Sequence, residues 1–167
     1  KGDYIMEREF VIVIDSCGDL STELRQKYGI EYAKMGLVKK LKEGDVEVAA
    51  DLDWNLYTNK ELNDWMRGGM LIKTTQVSNQ EYTEVFSKIL SQGKDILYIA
   101  CSSALSGSYN FSLVVKEELL EKYPDAKIII GCDAHGLDAL NNENVQKTFN
   151  FIEELELNVL ENIELKK

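Results

Sequence analysis

Ile96-Leu97-Tyr98-Ile99-Ala100-Cys101-Ser102-Ser103-Ala104-Leu105-Ser106-Gly107-Ser108-Tyr109 joins an apolar run to a hydroxyl-rich turn and then to an amphipathic segment reaching about Glu121. That order predicts strand, turn and helix. A helix start leaves backbone N–H groups without intrahelical partners and carries the positive end of the macrodipole. Small hydroxyl residues around it add donors that can fork a carboxylate or a phosphate. The turn therefore reads as an anion cradle whose anion is still open.

Working outward, Phe10 to Ile14 is apolar and β-branched, as in a buried parallel strand. The polar loop Asp15-Ser16-Cys17-Gly18-Asp19 follows, then a short helix over 21–28 closed by Gly29. Residues 30–38 predict a second strand, and 39–53 a charged, irregular surface excursion. Trp54, Leu56, Tyr57, Leu62, Trp65 and Met66 recur at helical spacing over 54–67, and Gly68-Gly69 stops the pattern. Ser78 and Glu81 form a capping box ahead of a helix to about Leu90. Pro124 ends the helix that opens at Tyr109, and 127–131 reads as another strand. Residues 132–144 predict a loop or partly helical stretch. Strands alternating with helices predict an α/β fold, a parallel sheet sandwiched between helices. The expected organisation is a leader over 1–9, the α/β domain over 10–143 and a helical C-terminal segment over 144–167. Ligands in such sheets bind beyond the carboxyl ends of the strands. Loops 15–19 and 101–108 lie there, and the turn Lys73 to Ser78 can reach the same edge.

The chain has 167 residues, with 19 Lys and Arg against 29 Asp and Glu, a net charge of −10. That balance argues against nucleic acid, whose phosphates call for clustered cations. No apolar run is long enough for a membrane span, and the first residues lack the order of a signal peptide. Cys17, Cys101 and Cys132 are odd in number and widely spaced, which fits a reducing cytoplasm rather than a disulfide framework.

Three segments in this order resemble the DegV family of bacterial fatty-acid-binding proteins. The first is Asp15-Ser16 after strand one. The second is Lys73-Thr74-Thr75-Gln76-Val77-Ser78, where the family has Lys-Thr-Ser-Gln-Pro-Ser. The third is Ser102-Ser103-Ala104-Leu105-Ser106-Gly107-Ser108-Tyr109, where it has Ser-Ser-x-Leu-Ser-Gly-Thr-Tyr. The resemblance runs from about Phe10 to Asp133, the family's N-terminal domain, with the second domain expected to be missing or divergent. It implies one bound long-chain fatty acid, its carboxylate held by Thr74 and Ser106, and no cofactor. It also implies that the protein performs no chemistry, while in some members a separate fatty acid kinase phosphorylates the presented carboxyl group.

From the residues themselves, Ser106 serves equally as a helix N-cap or as an anion donor. Ser102 and Ser103 fit local backbone bonding, Gly107 stands behind Ser106 in support, and Thr75 fits support beside Thr74. Asp15 would repel an anionic head, so with Ser16 it is expected to orient the loops. Trp54, Tyr57, Trp65 and Met66 fit either core packing or an acyl cavity. Two other readings stay open. One is a shortened structural or interaction domain that encloses no lipid. The other is a thiol or metal enzyme using Cys17, Cys101, Cys132 and His135, against which the absence of Cys-x-x-Cys spacing counts.

Overall fold

The computed structural model describes residues 8–41 and 44–132. β1 (Phe10–Asp15) runs into a 3-10 turn over Ser16–Gly18, then α1 (Thr22–Tyr28) and β2 (Glu31–Ala33). Ser21 caps α1 by accepting the Leu24 N–H, and Gly29 at φ 62° closes it in the left-handed region that glycine tolerates.

The stretch expected as one strand over 30–38 is two. β2 stays in the parallel sheet, whereas β3 (Gly36–Leu41) leaves it to pair antiparallel with β4 (Gly44–Ala49) and β5 (Leu71–Thr74). The departure occurs beside Gly36, where a Cβ would stand 2.3 Å from Thr75 Oγ1 and 2.5 Å from Glu47 Oε1. The expected excursion over 39–53 is therefore largely strand. Its charges are cross-strand partners: Lys40 sits opposite Asp45 and forms an ion pair with it. Most of β4 is exposed, so no apolar alternation marked it in the sequence.

The helix expected from Trp54 begins later, as α2 (Asn59–Arg67), with Thr58 and Glu61 forming a complete capping box. Upstream, the Asp51 carboxylate accepts the Asp53 and Asn55 N–H groups and Trp54 takes φ 55°, which turns the chain away from a helical path. Tyr57 packs against Trp54 and Trp65, with ring centroids 5.9 and 5.7 Å away. Lys39 of β3 lies 3.5 Å above the Trp65 ring, so this aromatic group packs on the antiparallel sheet.

α3 (Asn79–Leu90) is capped by Ser78, but the Glu81 carboxylate accepts the Lys34 N–H at 2.9 Å rather than closing the box on Ser78. β6 (Asp95–Ala100), α4 (Ser108–Lys122) and β7 (Ile128–Cys132) complete the described chain. These elements lie within the compact unit Lys1–Asp133. The segment expected to be helical over 144–167 and most of the leader fall outside the described residues. Among the described residues no helix is long and apolar enough to cross a membrane.

The parallel sheet has the order β2-β1-β6-β7, and the second sheet β4-β3-β5. Parallel pairing sets Val13 beside Tyr98 and Tyr98 beside Ile130, so these three share one face. α3 and α4 cover that face with Tyr82, Phe86, Ile89, Val115 and Leu119. Ile14 and Tyr32 turn the other way, toward Leu20, Ile30 and Leu52. The chain leaves β1 toward β2 on one side and β6 toward β7 on the other. The switch point of the sheet is thus the β1–β6 boundary, where the loops at 15–19 and 101–108 meet.

Candidate functional site

Asp15 stands at that switch point, 2% exposed. Its Oδ1 accepts the Cys17 N–H at 2.9 Å, and its Oδ2 accepts the Cys101 N–H at 2.7 Å and the Tyr98 hydroxyl at 3.1 Å. One carboxylate thus clasps the loops after β1 and β6. Ser16 Oγ donates to the Ala50 carbonyl at 3.0 Å and accepts the Met35 N–H at 3.1 Å, which pins the first loop to the junction of the two sheets.

The third segment folds on its own serines. Ser102 is buried; its Oγ accepts the Ala104 N–H, and its carbonyl accepts the N–H groups of Leu105 and Ser106. Ser103 is exposed. Ser106 is half-buried, accepts the Ser108 N–H at 3.2 Å and lies 2.9 Å from the Ser108 hydroxyl. The N-cap of α4 is Gly107, which has no side chain to cap the helix. Ser106, one residue earlier, accepts the first helical N–H, that of Ser108.

The second segment joins the third at two points. The Val77 N–H donates to Ser108 Oγ at 3.1 Å. The Gln76 side chain lies over Gly107 so closely that a Cβ there would stand 2.2 Å from Gln76 Oε1. Thr74 ends β5, exposed and paired in register with Leu37. Thr75 follows, its N–H bonded to the Gly36 carbonyl at 2.8 Å. Among the described residues no hydrogen bond links Thr74 to Ser106; their segments meet through Gln76, Val77, Gly107 and Ser108. A cleft of about 210 Å³ opens nearby, lined by Met35, Gly36, Glu47, Gln76 and Glu81 among others. Lys34 in that lining offsets one of its two carboxylates, Glu47 and Glu81, and the negative charge left over suits an anionic head poorly.

Behind the serines lies a polar chain that sequence reasoning missed. Tyr82 and Tyr98, both fully buried, have hydroxyls 2.7 Å apart, and that of Tyr98 donates to Asp15. The signal was present in the sequence: a tyrosine centred in an apolar strand must find a partner for its hydroxyl. Burial above all raises both phenols well beyond the ordinary range, so each keeps its proton.

The sulfurs of Cys17 and Met35 are 3.1 Å apart. Cys17 is exposed as a residue, yet partial desolvation of its thiol first, then the Asp15 charge and contact with Cys101, push that thiol up to about 12. Iodoacetamide at pH 8 is expected to alkylate Cys17 on the order of 100-fold more slowly than an unperturbed cysteine, because the thiolate is the nucleophile. Timed peptide mass spectrometry reads this, and labelling at the free-cysteine rate contradicts it. Among the described residues no group of three or more His, Cys, Asp and Glu side chains could hold a metal ion. His135, part of the metal reading, lies outside them.

A family model described as "Uncharacterised protein, DegV family" matches residues 9–154. The chain belongs to the DegV family. A DegV domain-containing protein of Clostridium perfringens is 42% identical over 123 residues, which are 74% of this chain and 40% of the relative. One from Lactococcus lactis is 31% identical over 121 residues, 72% of this chain and 40% of the relative. The chain thus spans about 40% of the length of these curated relatives. A stearic-acid-binding protein from Eubacterium ventriosum superimposes with a TM-score of 0.62 at 27% identity, over 87% of this chain and 47% of its own. DegV of Bacillus subtilis, a fatty acid binding protein, gives a TM-score of 0.58 at 20% identity, over 90% of this chain and 53% of its own, and shows the shared fold. The DegV motifs coincide with the switch-point loops and with the turn between the two sheets.

Proposed function

We propose that this DegV chain binds a long-chain fatty acid, with Ser106 and Thr74 as the hydroxyl contacts of its carboxylate. The observation that carries the reading is the meeting of the second and third segments at the N-terminus of α4, a 15-residue helix whose N-cap residue is Gly107. That terminus offers positive potential to an anion. Gly107 leaves room there for the Gln76 side chain, while Ser102 and Asp15 hold the loops in place. The stearic-acid-binding relative supports the choice of anion. Affinity comes chiefly from the acyl chain, at about 0.8 kcal/mol per buried methylene, and the hydroxyls fix where the head lies. The chain carries out no reaction on the lipid; in a cytoplasmic setting it presents the carboxyl group to a separate fatty acid kinase.

The test is mass spectrometry of an organic extract of the purified chain, beside the double variant Ser106→Ala with Thr74→Val. The parent is expected to carry a stoichiometric fatty acid. The variant is expected to retain less than about a tenth of it, from two lost hydrogen bonds to a charged group, with an unchanged circular dichroism spectrum. Equal lipid in both proteins, or none in the parent, overturns the proposal.

A further inference from the structure

We propose that the Gln76 carboxamide is a third contact of the fatty-acid carboxylate, donating through Nε2 beside the hydroxyls of Thr74 and Ser106. The inference rests on the carboxylate reading above and adds to it a residue that tells an acid head from a neutral one.

The need for a further donor follows from what the hydroxyls can supply. An ionised carboxylate accepts about four hydrogen bonds, whereas a threonine and a serine carry one hydroxyl hydrogen each. The Ser106 hydroxyl also lies 2.9 Å from that of Ser108. The neighbours of Thr74 are committed elsewhere. Lys73 is in register with Val38 and Thr74 with Leu37, so strand alternation sets Lys73 on the opposite face of its sheet. Thr75 Oγ1 donates to the Gln76 carbonyl at 3.3 Å and stands beside Gly36. Val77 is fully buried.

Gln76 differs from all of these. Its side chain is exposed and makes no hydrogen bond among the described residues. Its backbone is held on both sides, by the Thr75 N–H on the Gly36 carbonyl at 2.8 Å and by the Val77 N–H on Ser108 Oγ at 3.1 Å. The side chain rests against Gly107, the residue after Ser106. A Cβ on Gly107 would stand 2.2 Å from Oε1 and 3.4 Å from Cδ, whereas Nε2 is more than 4 Å away. The amide thus turns its oxygen to the positive end of α4, which suits it, and its N–H groups outward. Gly107 has φ −69°, a value open to any residue, so its backbone does not call for glycine. What a larger residue would displace there is the Gln76 amide. The carboxamide therefore lies two residues from Thr74 and on the neighbour of Ser106, with its N–H groups open to an acceptor.

The experiment is calorimetric titration of the parent, Gln76→Met and Gln76→Glu at pH 8, with decanoate below its critical micelle concentration and separately with decanol, its neutral counterpart. Gln76→Met keeps the length and removes the donor. Gln76→Glu keeps the shape and sets a negative charge before the head. For decanoate, Kd is expected to rise about tenfold in the methionine variant, from one lost hydrogen bond to a charged group. In the glutamate variant it is expected to rise at least about 100-fold, from like-charge repulsion. For decanol, both variants are expected within about threefold of the parent, because hydrogen bonds to an uncharged head are weaker. Decanoate affinity unchanged in either variant, or a loss as large for the alcohol as for the acid, overturns the inference while leaving fatty-acid binding intact. Absence of decanoate binding in the parent overturns the carboxylate reading and this inference with it.

Discussion

Replacing Asp15 with alanine is expected to lower the unfolding free energy by about 3–5 kcal/mol. The substitution strands the Cys17 N–H, the Cys101 N–H and the Tyr98 hydroxyl, all of which donate to this one carboxylate. Asp15 is 2% exposed and Tyr98 fully buried, so water does not replace the lost acceptor for the phenol. A stranded buried donor costs about 1–3 kcal/mol, and the three are close enough to be coupled rather than additive. The loops after β1 and β6 also lose their common anchor. Asp15→Asn keeps a carbonyl oxygen for one donor and is expected to lose about half as much. Urea unfolding of the three proteins checks this; equal midpoints would show that the carboxylate does not hold the switch point together.

Phe86→Ala is expected to cost a similar amount, about 3–5 kcal/mol, for a different reason. Phe86 is fully buried, with ring centroids 5.5 Å from Tyr82 and 5.7 Å from Tyr98. The tyrosines are themselves 5.4 Å apart, so the three rings form one unit between α3 and β6. Truncation removes apolar burial and opens a void against two rings whose hydroxyls are fixed by hydrogen bonds and cannot swing in to fill it. Phe86→Leu fills most of that volume and is expected to cost about 1–2 kcal/mol. The order alanine, leucine, parent in urea midpoint is the measurable outcome. An alanine variant as stable as the parent would mean that the helix can settle onto the sheet.

The parallel half of this fold was legible because its signals are local. Phe10 to Ile14 and Ile96 to Ala100 are apolar on both faces, and each is followed by a polar loop. The antiparallel half was not. β4 exposes most of its residues, and the Lys40–Asp45 pairing makes its charge pattern resemble a loop. The start of α2 could have been read from Thr58-x-x-Glu61, but the aromatic spacing of Trp54 and Tyr57 masked it. At the candidate site, the serines and threonines announced themselves by type and spacing. The hydrogen bonds that join Tyr82, Tyr98 and Asp15 behind them did not, because they depend on α3 crossing the sheet at one height, and nothing within either segment specifies that. Gln76 was passed over for the same reason: its partner, Gly107, lies 31 residues along the chain and offers no side chain to suggest a contact.

Thr74 is borne on the antiparallel sheet and Ser106 on a loop of the parallel one. Between them the chain passes through a seam formed by Gly36 with Thr75 and by Gln76 with Gly107. The arrangement is that of a caliper, with one arm on each sheet and the seam as its screw. A side chain added at either glycine would reset the opening between the arms without altering either tip. Under the proposed binding mode, the fit of a ligand head is adjustable from the join of two sheets, at glycines that need never meet the ligand.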